Sequence, residues 1–188
     1  MEGVEEGKVI IAQLEKSIFA DGGVWMRGPL LGFGGFGAVH LAHFPAGRSA
    51  RRYEGIPSPV AVKSTAAGSS APLRELVLEK MTYDALGQSP FLIRCFGDDA
   101  TASESGAFLY NVFLEYAPGG TLWDLIAKSD GLGLLESQAR GFARSILGGI
   151  KHIHEAGFAH CDLKPENVLL VGGEEEETAR ASWPRSET

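Results

Sequence analysis

Residues 160–171 read HCDLKPENVLLV, a polar loop that leads directly into a short apolar strand. The loop places Asp162, Lys164 and Asn167 close together in the chain, and their side chains have separate chemical abilities. A carboxylate can accept the proton of a hydroxyl, an ammonium group can neutralise phosphate charge, and an amide oxygen can ligate Mg²⁺. Pro165 restricts the backbone of the loop that carries them. The spacing D-x-K-x-x-N before an apolar strand therefore favours a phosphoryl-transfer loop over an ordinary polar connection.

The segment before this loop has a helical pattern. Residues 136–157 carry apolar side chains three and four positions apart, which predicts an amphipathic helix. The apolar stripe consists of Ala139, Phe142, Ala143, Ile146, Leu147, Ile150 and Ile153. A shorter helix is predicted over 121–127, and the APGG sequence at 117–120 is a candidate hinge in front of it.

The segment 25–116 has a strand-rich pattern instead. Apolar runs predict strands within 25–62, over 91–98 and over 107–117, with a polar loop between the last two. Residues 72–86 interrupt these runs with helical spacing behind a proline. We therefore predict an α+β fold, in which a small antiparallel sheet with one helix precedes a helix-rich part.

Three glycines near the start of the sheet form the pattern G-x-G-x-x-G at Gly32, Gly34 and Gly37. Such a loop lets backbone N–H groups approach phosphate oxygens. A Walker loop is excluded because Ala-Val follows the last glycine, where Lys and Ser or Thr are needed. A Rossmann turn would need a helix there, whereas residues 38–44 are strand-like. The pattern favours a glycine-rich flap between two strands, with a plain hairpin as the simple alternative.

Lys63 ends the apolar strand VAVK, where an ammonium group is costly unless it is paired. The α- and β-phosphates of a nucleotide, together with a helix carboxylate, would pair it. Glu75 and Glu79 are the candidate acids, since they lie one turn apart on the same face of the predicted helix. The alternative is a lysine that reaches water from the end of a strand.

The composition limits the classes of function. The chain has 188 residues, a net charge of −7 and no basic stripe, which argues against a general nucleic-acid binder. Two cysteines, Cys95 and Cys161, are too few for a disulfide framework. No run approaches the roughly 20 apolar residues of a membrane span, and the acidic N-terminus lacks the basic flank of a secretory signal. We expect a soluble protein of the cytoplasm or nucleus, without a membrane or nucleic-acid partner.

Four potential metal ligands lie close together near the predicted catalytic loop, namely His152, His154, His160 and Cys161. His152 and His154 are two positions apart on the predicted helix, so their side chains diverge. A metal site built from these residues is therefore disfavoured.

The order of these motifs resembles that of the eukaryotic protein kinases. The segments GFGGFGAV, VAVK, LEKMTYDAL, FLEYAPGG and HCDLKPENVLL follow landmarks of that family from its first strand to its catalytic loop. WMRGPLLGFGGFGAV, FLIRCFGDD and HCDLKPEN are most similar to the plant MAP kinase kinase kinases, which are serine/threonine kinases. The resemblance covers residues 25 to about 171. It implies a complete small β-rich lobe followed by the beginning of the helical large lobe.

The resemblance also implies roles for individual residues. It makes Asp162 the catalytic base, Lys164 the charge stabiliser and Asn167 a magnesium ligand. The ATP-binding positions that it implies are Leu31, Gly32, Gly34, Gly37, Val39, Ala61, Lys63, Glu79, Leu114, Glu115 and Ala117. Among these, Leu114 is the gatekeeper, and the register around the helix favours Glu79 over Glu75. The implied cofactors are ATP and Mg²⁺, and the implied partner is a protein substrate of the MAP kinase kinase class. A non-catalytic nucleotide-binding or interaction module is the alternative.

These inferences predict three parts of the chain. Residues 1–23 form an N-terminal extension, 24–171 a partial kinase domain and 172–188 an acidic tail without regular structure. Within the domain, 24–116 belong to the small lobe and 117–171 begin the large lobe.

Two departures from the kinase pattern stand out. Cys161 occupies the place of the arginine in H-R-D, which puts control through a phosphorylated activation loop in doubt. After Val171 the sequence TARASWPRSET stands where the family has Asp-Phe-Gly. The incomplete metal clamp disfavours catalysis by this sequence as written. The missing Asp-Phe-Gly has three possible explanations, namely a gene model that runs into an intron, a truncated isoform or a degenerate copy. The abrupt end of the resemblance favours the first of these.

Overall fold

A computed structural model describes residues 24–34, 37–44, 53–66, 68, 70–102, 108–172 and 178–182. The expected extension at 1–23 lies outside the described residues. The chain divides into two compact units. The first unit comprises Met1–Lys80 and Phe96–Leu114, and the second comprises Met81–Cys95 and Glu115–Thr188.

A five-stranded sheet organises the first unit. Its strands are β1 (Met26–Gly34), β2 (Gly37–His43), β3 (Val60–Ala66), β4 (Cys95–Ala102) and β5 (Phe108–Leu114), in the order β1-β2-β3-β5-β4. The pairs β1–β2, β2–β3 and β3–β5 are antiparallel. The prediction of an α+β fold with an antiparallel sheet is therefore confirmed.

Helix α1 (Ser70–Leu86) follows β3. Its buried side chains Leu73, Leu76, Tyr83 and Leu86 recur at helical spacing, as the sequence pattern predicted. The helix ends at Leu86 and is followed by Gly87, whose φ of +66° favours glycine and whose N–H donates to the Tyr83 carbonyl oxygen at 3.1 Å.

An aromatic cluster forms the core on one face of this sheet. Its buried members are Trp25, Ala42, Tyr53, Val60, Val62 and Phe113. The ring of Trp25 meets that of Phe113 edge to face, with 5.4 Å between the centroids, which is a favoured geometry for aromatic pairs.

Strand β4 differs from the prediction, because it runs to Ala102 through residues that the sequence assigned to a polar loop. Asp99 is 1% exposed, and its carboxylate accepts hydrogen bonds from the Trp25 indole at 2.9 Å and the Tyr53 hydroxyl at 2.8 Å. Asn111 on β5 donates to the same carboxylate at 2.8 Å. These partners offset the cost of burying a polar strand, and none of them is adjacent to Asp99 in sequence.

The second unit is built on helices and a small hairpin. Its elements are α2 (Leu122–Ala127), α3 (Glu136–Glu155), a 3₁₀ turn (Pro165–Asn167), β6 (Val168–Val171) and β7 (Thr178–Ala181). Thr121 caps α2, because its hydroxyl oxygen accepts a hydrogen bond from the Asp124 N–H while the Asp124 carboxylate accepts from Thr121. The hydroxyl and then the N–H of Thr121, which donate to that carboxylate, lower the pKa of Asp124. No helix among the described residues has the length and apolarity to cross a membrane.

The predicted stripe on α3 is only partly buried. Phe142 and Ile153 lie in the core, whereas Leu147 is 64% exposed. Ala139 and Ala143 are exposed as well. The stripe therefore combines core positions with positions that nothing in the described part of this unit covers.

The region expected to be a tail without regular structure contains strand β7, which pairs antiparallel with β6. Ala179 and Ala181 are each 1% exposed, and Ala179 packs in a cluster with Leu122, Phe142 and Leu170. Two small apolar side chains at alternate positions allow this strand to lie close to the core. The sequence analysis missed this strand because the mean hydropathy of 172–188 is low.

Candidate functional site

The first unit contains the predicted phosphate-binding lysine. Lys63 lies on β3 between Val39 of β2 and Val112 of β5, and it forms an ion pair with Glu79 of α1. The two side chains are only 12% and 8% exposed. Among the two candidate acids, Glu79 is thus the one that reaches Lys63.

The glycine pattern lies on β1 and β2 of the same unit. Gly37 has φ of +136°, and a Cβ atom there would meet the Ser64 carbonyl oxygen at 2.3 Å. At Gly32 an added Cβ would meet nothing within 4 Å. The packing of the chain therefore requires glycine at 37 and leaves open space at 32, which fits a ligand group lying over Gly32.

The predicted adenine-contacting residues of the first unit are neighbours in the sheet. Ala61 on β3 pairs with Leu114 on β5, and both are buried. Gly32 pairs with Val39 across β1 and β2, and Leu31 is 45% exposed beside it.

The segment that follows β5 belongs to the second unit. The Glu115 N–H donates to the Arg94 carbonyl oxygen at 2.8 Å, and the Glu115 carboxylate accepts hydrogen bonds from Arg94 and Arg180. In the part of the chain that the structure describes, the N–H of Ala117 donates no hydrogen bond, so it is available to a ligand acceptor. The arginine partners of Glu115 were missed by the sequence analysis, because neither is close to it in sequence.

The polar loop at 160–167 brings its three predicted residues together in the second unit. Lys164 Nζ lies 2.9 Å from Asp162 Oδ1. Asn167 Nδ2 donates to the Asp162 Oδ2 at 2.9 Å and to its carbonyl oxygen at 2.8 Å. The hydrogen bond from Lys164 is the main cause of a lowered pKa at Asp162, with Asn167 adding to it. Asp162 is therefore an ionised acceptor at neutral pH.

Asn167 keeps one oxygen available. Both of its described side-chain hydrogen bonds use Nδ2, and no described residue donates to its Oδ1. An amide oxygen beside a carboxylate is a donor set that suits Mg²⁺.

The neighbouring histidines have structural contacts. His160 is buried and its Nε2 lies 2.8 Å from the Ser182 carbonyl oxygen, which therefore accepts a hydrogen bond from Nε2–H. His152 Nε2 lies 2.8 Å from the Leu86 carbonyl oxygen in the same way. Cys161, which directly follows His160 in the loop, is exposed and has φ of +60°. Within the described ranges, no group of three or more His, Cys, Asp or Glu side chains is placed to hold a metal ion.

Comparison with known proteins gives one family. The family model of the protein kinase domain matches residues 25–179, past residue 171, where the sequence pattern placed the end of the resemblance. Mitogen-activated protein kinase kinase kinase 20 of Arabidopsis thaliana is 43% identical over 78% of this chain and 40% of that protein. Mitogen-activated protein kinase kinase kinase 17 of the same plant is 35% identical over 78% of this chain and 36% of that protein. The chain therefore spans about two fifths of the length of these relatives.

Proposed function

The chain belongs to the protein kinase family, and from that premise we propose that it serves ATP-dependent phosphoryl transfer to serine or threonine hydroxyls of a protein. The observation that carries this proposal is the Lys63–Glu79 ion pair. It fixes the position of an ammonium group on a buried strand, where the family requires a phosphate-binding lysine.

Residues of the first unit would hold the nucleotide. Lys63 would neutralise the α- and β-phosphates, while Glu79 fixes the direction of its side chain. The backbone at Gly32 and Gly34 would approach the phosphates, and Val39 with Ala61 would contact the adenine. For Ala117, which belongs to the second unit, the family resemblance implies a role in adenine binding.

Residues of the second unit would carry the proton and metal chemistry. Asp162, which is ionised at neutral pH, would accept the hydroxyl proton of the substrate. Lys164 would stabilise negative charge on the transferred group. Asn167 would hold Mg²⁺ through its available Oδ1, and Mg²⁺ when bound supplies neutralisation of phosphate charge.

A more specific proposal concerns the protein substrate and the cellular compartment of this activity. Two plant relatives are named as mitogen-activated protein kinase kinase kinases. We propose by analogy that the substrate is a MAP kinase kinase and that the protein works in the cytoplasm or nucleus. This proposal refers to the whole protein, since the chain spans only part of those relatives.

Mg-ATP binding is the first test. At about 100 times its Kd, a nucleotide that binds only the folded chain should add about 2.7 kcal/mol of stability, measurable as a rise in Tm. In the double variant Lys63→Met/Glu79→Met, which removes both charges of the pair, Mg-ATP should no longer raise Tm. An undiminished rise in that variant would remove Lys63 from the nucleotide site.

Phosphoryl transfer is a separate test. With radiolabelled Mg-ATP and a MAP kinase kinase as acceptor, the chain should label the acceptor, and Asp162→Asn should abolish labelling while Mg-ATP still raises Tm. Labelling that survives this substitution would contradict the role of Asp162 as base.

One observation favours a second candidate function, a nucleotide-binding module without transfer. The residues after β7 read Ser182-Trp183-Pro184-Arg185, where the family has Asp-Phe-Gly. Without that aspartate the metal would lack a ligand that the transfer reaction uses. Stabilisation by Mg-ATP with no labelling of the acceptor would support this candidate over the first.

A further inference from the structure

Arg27 on β1 has an unusual set of neighbours. Its Nη1 donates to the Ser64 hydroxyl at 2.8 Å and lies 3.5 Å from His40 Nδ1, and its Nη2 donates to Asn111 Oδ1 at 2.9 Å. The guanidinium carbon also lies 5.1 Å from the centre of the Trp25 ring. All of these partners are neutral, so no carboxylate among the described residues contacts the guanidinium group.

The buried carboxylate near Arg27 is that of Asp99, and it binds other side chains. Asp99 accepts hydrogen bonds from Trp25, Tyr53 and Asn111. Asn111 stands between the two charges, since its Oδ1 accepts from Arg27 while its Nδ2 donates to Asp99. Burial lowers the pKa of Arg27, and the more distant charge of Asp99 opposes that effect. The cation is thus partly removed from water, and none of the described residues contacts it as a counter-ion.

A pocket of about 400 Å³ opens beside this cation. Arg27, His40 and Ser64 form its polar end, and Phe33, Ala38 and Leu109 contribute apolar surface. Side chains alternate between the faces of a strand, so Ser64 points away from the face that carries Lys63. The polar end is therefore on the opposite face of the sheet from the Lys63–Glu79 pair. Its volume lies within the range of small-molecule sites.

We propose that this pocket binds a small organic monocarboxylate, with the carboxylate on Arg27 and a flat apolar body against Phe33, Ala38 and Leu109. Three of the five N–H bonds of a guanidinium are directed at Ser64, Asn111 and His40, which leaves two for a ligand among the described contacts. A carboxylate matches that fork and supplies the missing negative charge. The pocket shares Gly37 with the proposed nucleotide-binding residues, but its polar end lies on the opposite face of the sheet from Lys63.

Titration calorimetry of the full chain with 2-naphthoate tests the proposal, with 2-naphthamide as the uncharged control and inorganic phosphate as the anion without an apolar body. One molecule of 2-naphthoate should bind per chain, about tenfold or more tighter than either control. Saturating Mg-ATP should not displace it. Equal binding of naphthoate and naphthamide, binding of phosphate as tight as that of naphthoate, displacement by Mg-ATP, or no binding up to about 5 mM would each overturn the proposal.

Two variants locate the site from opposite ends. Arg27→Met removes the charge and should weaken naphthoate binding about tenfold, whereas Arg74→Met, an exposed arginine on α1, should leave it unchanged. Ala38→Leu fills the apolar part without touching any hydrogen bond to Arg27, so it should weaken binding even if Arg27→Met impairs folding. Undiminished binding to the Ala38→Leu chain would overturn the proposal.

The pH dependence of naphthoate affinity has a defined sign. Among the described residues, the charged group in contact with His40 is Arg27 from β1, which also donates to Ser64 of β3, and the Asp99 charge lies behind Asn111. Burial, and then Arg27, lower the pKa of His40, so the ring is neutral in the empty pocket at pH 7. A bound carboxylate raises that pKa, the complex takes up a proton, and affinity should rise as pH falls from about 7.5 to about 5.5. His40→Gln should remove this rise, and a rise that persists in this variant would overturn the placement of the carboxylate.

Discussion

A Cβ atom on Gly37 would lie 2.3 Å from the carbonyl oxygen of Ser64 on the neighbouring strand, far closer than any real contact. The same residue has φ of +136°, which side-chain-bearing residues rarely adopt. We therefore expect Gly37→Ala to lower the free energy of unfolding by about 2–5 kcal/mol, measured by urea denaturation.

Gly32→Ala is the matched control for Gly37, because an added Cβ there meets nothing within 4 Å. Its free energy of unfolding should change by less than about 1 kcal/mol, while the rise in Tm produced by Mg-ATP should shrink. Equal loss of stability in the two variants would contradict the assignment of separate packing and ligand roles.

The Lys63–Glu79 pair gives a prediction about stability that is independent of nucleotide. Lys63→Met removes the ammonium group from beside a nearly buried carboxylate and should cost about 3–5 kcal/mol. The double variant with Glu79→Met leaves neither charge and should recover most of that loss, measured in the absence of ATP. If the loss in the double variant equals the sum of the losses in Lys63→Met and Glu79→Met measured singly, the two residues are not energetically coupled.

Because strand β7 packs against the core, we expect part of the acidic C-terminal region to stabilise the fold. A chain that ends after Gly172 loses Ala179 and Ala181 from the core and should unfold at a lower temperature than the full chain. A chain that ends after Ser182 retains the strand and is the control, with an expected Tm close to that of the full chain. Equal Tm values for the full chain and the shorter variant would show that β7 does not contribute.

Burial lowers the pKa of His160, although its bond to the Ser182 carbonyl oxygen and the charge of Asp162 oppose the effect. The unfolded chain therefore takes up a proton at this ring before the folded chain does. The contribution of neutral His160 to the free energy of unfolding is fully present above the pKa of the ring in the unfolded chain, near 6.5. It should be lost as pH falls from there towards the lower pKa of the ring in the folded chain. His160→Gln should reduce this loss between about pH 7 and pH 5, whereas replacing the exposed His154 by Gln should not. Urea denaturation at several pH values measures the difference.

The sequence carried most of the information about the candidate site, because the residues at 160–167 lie on one continuous loop. Asp162, Lys164 and Asn167 make their contacts within eight residues of chain, so spacing alone could indicate that they meet. Lys63 and Glu79 required the additional inference that a helix after β3 returns to that strand. The pattern left two acids open, and the structure resolves the choice in favour of Glu79. The functional roles of all these residues stay predictions.

The parts that sequence patterns could not predict depend on distant polar contacts. Asp99 and Thr101 have the composition of a loop, but they are buried in β4 because Asn111 donates to both side chains. Arg27 has no sequence signal for its pocket, since Ser64 and Asn111 are 37 and 84 positions away. Alternating hydrophobicity cannot indicate a strand whose buried side chains are polar.

The carboxylate of Asp99 accepts hydrogen bonds from Trp25, Tyr53 and Asn111. These four residues come from four separate segments of the chain. Loss of that carboxylate would remove an acceptor from a buried indole N–H and a buried hydroxyl, and would leave the Asn111 amide only its bonds to Thr101 and Leu109. The first substitution therefore carries most of the cost. The later ones would be nearly neutral or even favourable. In the evolution of related chains, these four positions should consequently change as a group, and intermediates that have lost one member should be rare.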